Sequence, residues 1–136
     1  MRLTSLADYA VVMMAAAARC APGTRLSATL LAEETGIPLP TAQKLTQRLA
    51  AAGLLETARG SGGGFRLTRA ASEISLADII EAVEGPIGMT ACVDHDRSDC
   101  ALESCCQIRP HMSVVNGAVR GALAAVSLNQ LAEAGQ

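Results

Sequence analysis

Residues 27–68 carry four pieces in a fixed order, and that order constrains the fold more than any single residue does. A short helix begins near Ser27 and stops at Gly36, a residue able to take the left-handed conformation that ends helices. The turn Gly36-Ile37-Pro38-Leu39 follows, and Pro40 suits the first turn of a next helix reaching about Ala52. Two short helices joined by a tight glycine-containing turn have the dimensions of a helix-turn-helix. Gly53 closes the second helix. Residues 54–58 then read as a strand, Arg59-Gly60-Ser61-Gly62-Gly63-Gly64 as a turn, and residues 65–68 as the returning strand. A hairpin directly after a helix-turn-helix makes a winged helix. The glycine run fails as a nucleotide loop, because Phe65 stands where a third glycine is needed and no Gly-Lys-Ser/Thr follows.

Helices flank this unit. The first is expected over residues 6–19, with Ser5 and Asp8 at capping-box spacing, and Pro22-Gly23 breaks the chain after it. Ser75-Leu76-Ala77-Asp78 is another capping box, opening a helix through Ile79, Ile80 and Val83 that ends near Gly85-Pro86. Residues 87–106 show no clear period and hold four of the five cysteines. Pro110 starts a long helix reaching about Val126. Its apolar positions Ile108, Met112, Val115, Val119, Ala122 and Val126 are spaced by 4, 3, 4, 3 and 4, a heptad seam. Gly117 and Gly121 would let a neighbouring helix approach closely, and Ser127-x-x-Gln130 caps a last short helix. The seam can pack within its own subunit or pair two subunits. Dimerisation is the expectation, since so short a chain has little else to cover a long helix. The expected class is mainly α with a small β-hairpin. It divides into a winged helix-turn-helix domain (1–85), a cysteine-rich loop (86–107) and a dimerisation helix with a short terminal helix (108–136).

Composition narrows the partners. Half the 136 residues are apolar and 18% are charged, which provides a core and argues against wholesale disorder. One Tyr, one Phe and no Trp argue against a stacking platform for single-stranded nucleic acid. The net charge of −2 hides an asymmetry: residues 1–69 carry 8 Lys/Arg against 4 Asp/Glu, and residues 70–136 carry 3 against 9. A basic front half and an acidic back half suggest that only the front meets a polyanion. Residues 9–18 mimic a short secretory segment, but Asp8 abuts them and ten residues cannot span a bilayer, which needs about 20. A buried first helix in a cytoplasmic protein with no membrane partner is expected. No nucleophile–base pair or catalytic carboxylate pair is evident, and Asp94, Asp96 and Asp99 read as a solvated acidic loop, so no enzyme is expected.

On the second helix of the helix-turn-helix, Ala42, Leu45 and Leu49 share one face, and Thr41, Gln43, Lys44, Gln47 and Arg48 point away. Lys44 and Arg48 can neutralise phosphates, while Gln and Thr can reach base edges in the major groove of duplex DNA. Arg59 at the base of the wing suits the adjacent backbone or minor groove, and Gly62 and Gly63 permit close approach of the wing.

Cys92, Cys100 and Cys106 form C-x7-C-x5-C, with Cys105 beside them; Cys20, at the end of the first helix, reads as a small buried hydrophobe. Clustered cysteines in a cytosolic chain point to metal ligation or redox sensing before disulfides. Spacing leaves three alternatives open: zinc completed by His95 or His111, an iron–sulfur cluster, or a metal-free thiol switch.

The whole pattern resembles the Rrf-two (BadM-type) winged-helix regulators. The resemblance lies in Met1-Arg2-Leu3-Thr4, Ala7-Asp8-Tyr9-Ala10, Gly36-Ile37-Pro38, Lys44-Leu45 and Gly53-Leu54-Leu55. It continues in Arg59-Gly60-x-Gly62-Gly63-Gly64, Ile74-Ser75-Leu76-x-Asp78-Ile79-Ile80 and Glu84-Gly85. That family includes IscR (iron–sulfur homeostasis), NsrR (nitric oxide sensing), RirA (iron sensing) and regulators of the SUF cluster-assembly operon. The stretch from Cys100 to Pro110, with Val115-Asn116-x-Ala118-Val119, looks most like the SUF regulators. The resemblance implies an iron–sulfur cluster, 2Fe–2S or 4Fe–4S, on Cys92, Cys100 and Cys106. Cys105 stands where a non-Cys residue is usual, as a surrogate ligand, a redox partner or a plain replacement. For the fourth ligand, NsrR-like members imply Asp8 of the partner subunit's first helix, and IscR-like members a His after the third Cys, near His111 but at shorter spacing. Asp8 also fits a helix cap. A homodimer on a pseudopalindromic operator, sensing cluster status and repressing SUF-type genes, is the implied function.

Overall fold

A computed structural model describes residues 2–21, 23–57, 64–88 and 109–134. Helix α1 spans Ser5–Arg19. Its N-cap is Thr4, whose hydroxyl accepts from the Ala7 N–H at 3.1 Å. The expected Ser5/Asp8 capping box is therefore corrected. Thr4 has the extended backbone a cap needs, Ser5 is already helical, and Asp8 faces the positive end of the helix dipole from the first turn. Ala7, Ala10, Met13, Met14 and Ala17 are buried, and these mostly small side chains let neighbouring helices pack closely on α1.

Helix α2 (Ala28–Thr35) is capped by Ser27 and ends at Gly36, with φ +81°. The Thr35 hydroxyl donates to Leu31 O at 2.6 Å and accepts from Ile37 N–H at 3.2 Å, which holds the turn closed over buried Ile37. Helix α3 (Leu39–Ala51) follows, with Pro38 as N-cap and Ala42, Leu45 and Leu49 fully buried. Strands β1 (Leu55–Thr57) and β2 (Phe65–Leu67) pair antiparallel, with Leu55 opposite Leu67 and Glu56 opposite Arg66. Phe65 also exchanges backbone hydrogen bonds with Leu26, at 2.8 and 2.9 Å, so the hairpin is laced to the approach to α2.

Helix α4 (Leu76–Glu84) opens on the expected capping box: Ser75 Oγ accepts from Asp78 N–H, and Asp78 accepts from Ser75 N–H at 2.9 Å. Helix α5 (Arg109–Ala124) packs on α4, and helix α6 (Leu128–Ala134) packs on α1. Between them the chain is pinned back onto the N-terminal core, by Leu76 N–H to Val126 O at 2.8 Å and Leu128 N–H to Ile74 O at 2.7 Å. Ser127 and Gln130 cap α6 reciprocally, as expected.

The heptad seam divides in two. Met112, Asn116, Val119 and Leu123 are half-buried, whereas Val115 and Ala122 are exposed and Val126 lies beyond the helix. A straight helix turns once every 3.6 residues, so a 3.5-residue pattern drifts across its face. Val114 is 72% exposed and Val115 43%. The architecture is mainly helical, with a two-stranded wing after a helix-turn-helix.

Candidate nucleic-acid interface

Helix α3 presents Gln43, Lys44 and Gln47 to solvent, with Thr41 half-buried beside them. Leu39 and Pro40 are exposed at its N-terminus, where no side chain caps the helix. The buried stripe Ala42, Leu45 and Leu49 forces this orientation, because residues three and four apart share a face.

Arg48 departs from the expected outward set. It is half-buried, and its Nη1 donates to the carbonyl of Val83 at 3.1 Å, in the last turn of α4. That turn carries Glu81 and Glu84 and no basic residue of its own. Unpaired carbonyls and the negative end of the dipole make the site attractive to a cation from elsewhere. Two glutamates at a helix C-terminus were the signal in the sequence that such cations must be supplied.

Glu81 draws a second one. Arg120 of α5 donates to its carboxylate at 2.7 and 3.4 Å. Those hydrogen bonds and the charge of Glu81 hold the Arg120 guanidinium above its ordinary range. Glu81 also accepts from the Ile87 N–H at 3.0 Å, and Ile87 O accepts from Asn116 Nδ2 at 3.1 Å. The Thr4 hydroxyl donates to the Glu84 carboxylate.

On the wing, Arg66 is exposed and paired to Glu56 at 2.8 Å. Arg59, Gly62 and Gly63 lie outside the described residues, as do Cys92, His95, Cys100, Cys105 and Cys106. Asp8 is exposed on the first turn of α1, and His111 is exposed on α5. Cys20 is half-buried rather than buried, with its thiol 3.5 Å from Ala16 O. Among the described residues no helix is long and apolar enough to cross a membrane.

Comparison with known proteins matches this geometry to a family. The Rrf2 model, described as an iron-dependent transcriptional regulator, matches residues 3–134. Protein aau3 of Rhizobium meliloti (strain 1021) is 39% identical over 124 residues, covering 90% of this chain and 75% of that protein. The HTH-type transcriptional regulator IscR of Photobacterium profundum is 32% identical over 131 residues, covering 96% and 75%. The solved oxidized form of Staphylococcus aureus CymR aligns with a TM-score of 0.68 at 28% identity, over 98% of this chain and 97% of that one. With a winged helix in place and the match running from end to end, the chain belongs to the Rrf2 family of transcriptional regulators and is not an enzyme.

Proposed function

We propose that the chain is a homodimeric repressor whose affinity for operator DNA follows an iron–sulfur cluster held by Cys92, Cys100 and Cys106, and that it governs SUF-type assembly genes in the cytoplasm. The observation that carries this reading is the C-x7-C-x5-C set of Cys92, Cys100 and Cys106, which the resemblance assigns to a cluster, in a chain matched almost throughout by an iron-dependent regulator family. Three thiolates are a donor set that iron–sulfur clusters take, and the fourth position tolerates another ligand. Asp8, exposed on α1, is available to a partner subunit for that position. The bound cluster would supply an iron- and redox-sensitive cross-link. The chain's own residues do the rest. Thr41, Gln43 and Gln47 would read base edges, Lys44, Gly62 and Gly63 would meet the backbone, and Arg59 the backbone or the minor groove. Val114 and Val115 on α5, with Tyr9 and Val12 on α1, are exposed apolar side chains for a second copy to cover. The functional division follows the chain: 1–85 reads DNA, 86–107 holds the cluster and 108–136 joins the subunits.

Anaerobic purification with iron, sulfide and zinc assays tests it. Iron with matching sulfide, lost in the Cys92/Cys100/Cys106→Ser triple variant, is expected. Zinc without sulfide, or no metal, overturns the cluster. The second result would favour a metal-free thiol switch, to which Cys105 beside Cys106 and the likeness to an oxidized CymR structure lend support.

A further inference from the structure

The last turn of α4 holds four other parts of the molecule. Val83 O receives Arg48 from α3, Glu84 receives the N-cap of α1, and Glu81 receives Arg120 from α5 and the backbone of Ile87. Residues 85–88 lead directly toward Cys92. The packing of α3 on its neighbours rests on Leu45 and Leu49, and apolar contact is non-directional. A hydrogen bond from a charged guanidinium to one carbonyl is directional and stronger than a neutral one. Among the described residues, Arg48 is thus a polar contact that fixes how α3 sits along α4.

We propose that Arg48 is a positioning residue for DNA reading, not a phosphate contact, and that it acts through the turn of α4 that also anchors residues 85–88 by way of Glu81. A displacement of Ile87 moves Glu81, the α4 turn moves with it, and Arg48 carries the shift to Gln43, Lys44 and Gln47. This rests on the DNA-binding part of the proposed function and not on the identity of any metal. The route lies within one subunit, so it operates whether or not Asp8 ligates across the dimer.

Salt dependence distinguishes the two roles, because each phosphate contact contributes about 0.9 to the slope of log affinity against log salt. A duplex selected by the wild-type protein from a random-sequence pool serves as probe, with affinity read by fluorescence anisotropy between about 50 and 300 mM KCl. Lys44→Ala is expected to lower the slope by about 1. Arg48→Met is expected to weaken binding about tenfold with the slope unchanged. Adding Glu81→Gln to Arg48→Met is expected to cost little more than Arg48→Met alone, because both act through one turn. Arg48→Lys guards against misfolding of the Met variant. It keeps the charge but not the fork, so it binds weakly if Arg48 positions α3 and like wild type if Arg48 neutralises phosphate. A slope reduced by about 1 in Arg48→Met, wild-type binding by Arg48→Lys, or additive losses in the double variant each overturn the proposal. Failure of the wild-type protein to select any duplex overturns the DNA-binding reading as well, and is seen before any variant is measured.

Discussion

Gly64 lies against the backbone of Leu26 so closely that a β-carbon on it would stand 2.7 Å from the Leu26 carbonyl oxygen, at a φ of +95°. The wing is therefore seated on the approach to α2 by a residue that must be glycine on two grounds, space and backbone conformation. Gly64→Ala is expected to cost about 1–3 kcal/mol in urea denaturation. Equal stability of Gly64→Ala and wild type would show that the wing is not held there.

The caps give a paired test. Thr4→Ala and Ser75→Ala each remove a hydroxyl that accepts a helix N–H, and each should cost about 1 kcal/mol. Ser5→Ala should stay within about 0.5 kcal/mol of wild type, because Ser5 is a helical residue with no capping role. Reversal of the Thr4 and Ser5 effects would move the start of α1.

Self-association should depend on the outer face of α5. Val114→Asp with Val115→Asp places two charges where apolar side chains stand exposed. Sedimentation velocity is expected to show a shift from dimer to monomer with the helical circular dichroism unchanged. A double variant that remains dimeric would assign the interface elsewhere.

Base reading should be separable from charge. Gln43→Ala and Gln47→Ala are expected to change which sequences the protein prefers, by about 1–3 kcal/mol per altered base pair. Lys44→Ala should weaken every duplex about equally. Selection from a random pool with each variant measures this, and unchanged preferences in both glutamine variants would remove α3 as the reading helix.

The Arg120–Glu81 pair has a pH signature. A folded value raised above the unfolded one adds stability that is fully present below the ordinary arginine range and is lost only as pH rises through the folded value. The Arg120 side should thus be flat from about pH 6 to pH 9. A double-mutant cycle on the two residues, measured across that range, checks it; a coupling that changes with pH over that window contradicts the assignment.

Much of this is legible in the sequence. The Ser75/Asp78 box, the Gly36 stop and the buried stripe of α3 depend on residues within four positions of each other, where local chemistry decides the outcome. The Arg48 bond is not legible in the sequence, because its partner is a backbone carbonyl 35 positions away and helical periodicity does not encode tertiary acceptors. The Leu26–Phe65 bridge was missed for the same reason, since a single bridging residue has no strand period. Thr4 and Ser5 are both competent caps, and only the packing of α1, with Thr4 reaching Glu84, chooses between them. The seam on α5 was readable as apolar but not as two stripes, because nothing in its spacing says which stripe faces α4.

The return of the chain at Val126 and Leu128 gives α5 a mechanical character. Backbone bonds to Leu76 and Ile74 clamp it at its C-terminal root, while the cysteine-bearing segment joins its other end at Arg109. Arg120 on Glu81 and Asn116 on the Ile87 carbonyl hold it again along its length, so α5 is seated on α4 well beyond that root. A displacement carried along α5 therefore meets α4 at its start and at its last turn together, and moves that helix as one piece.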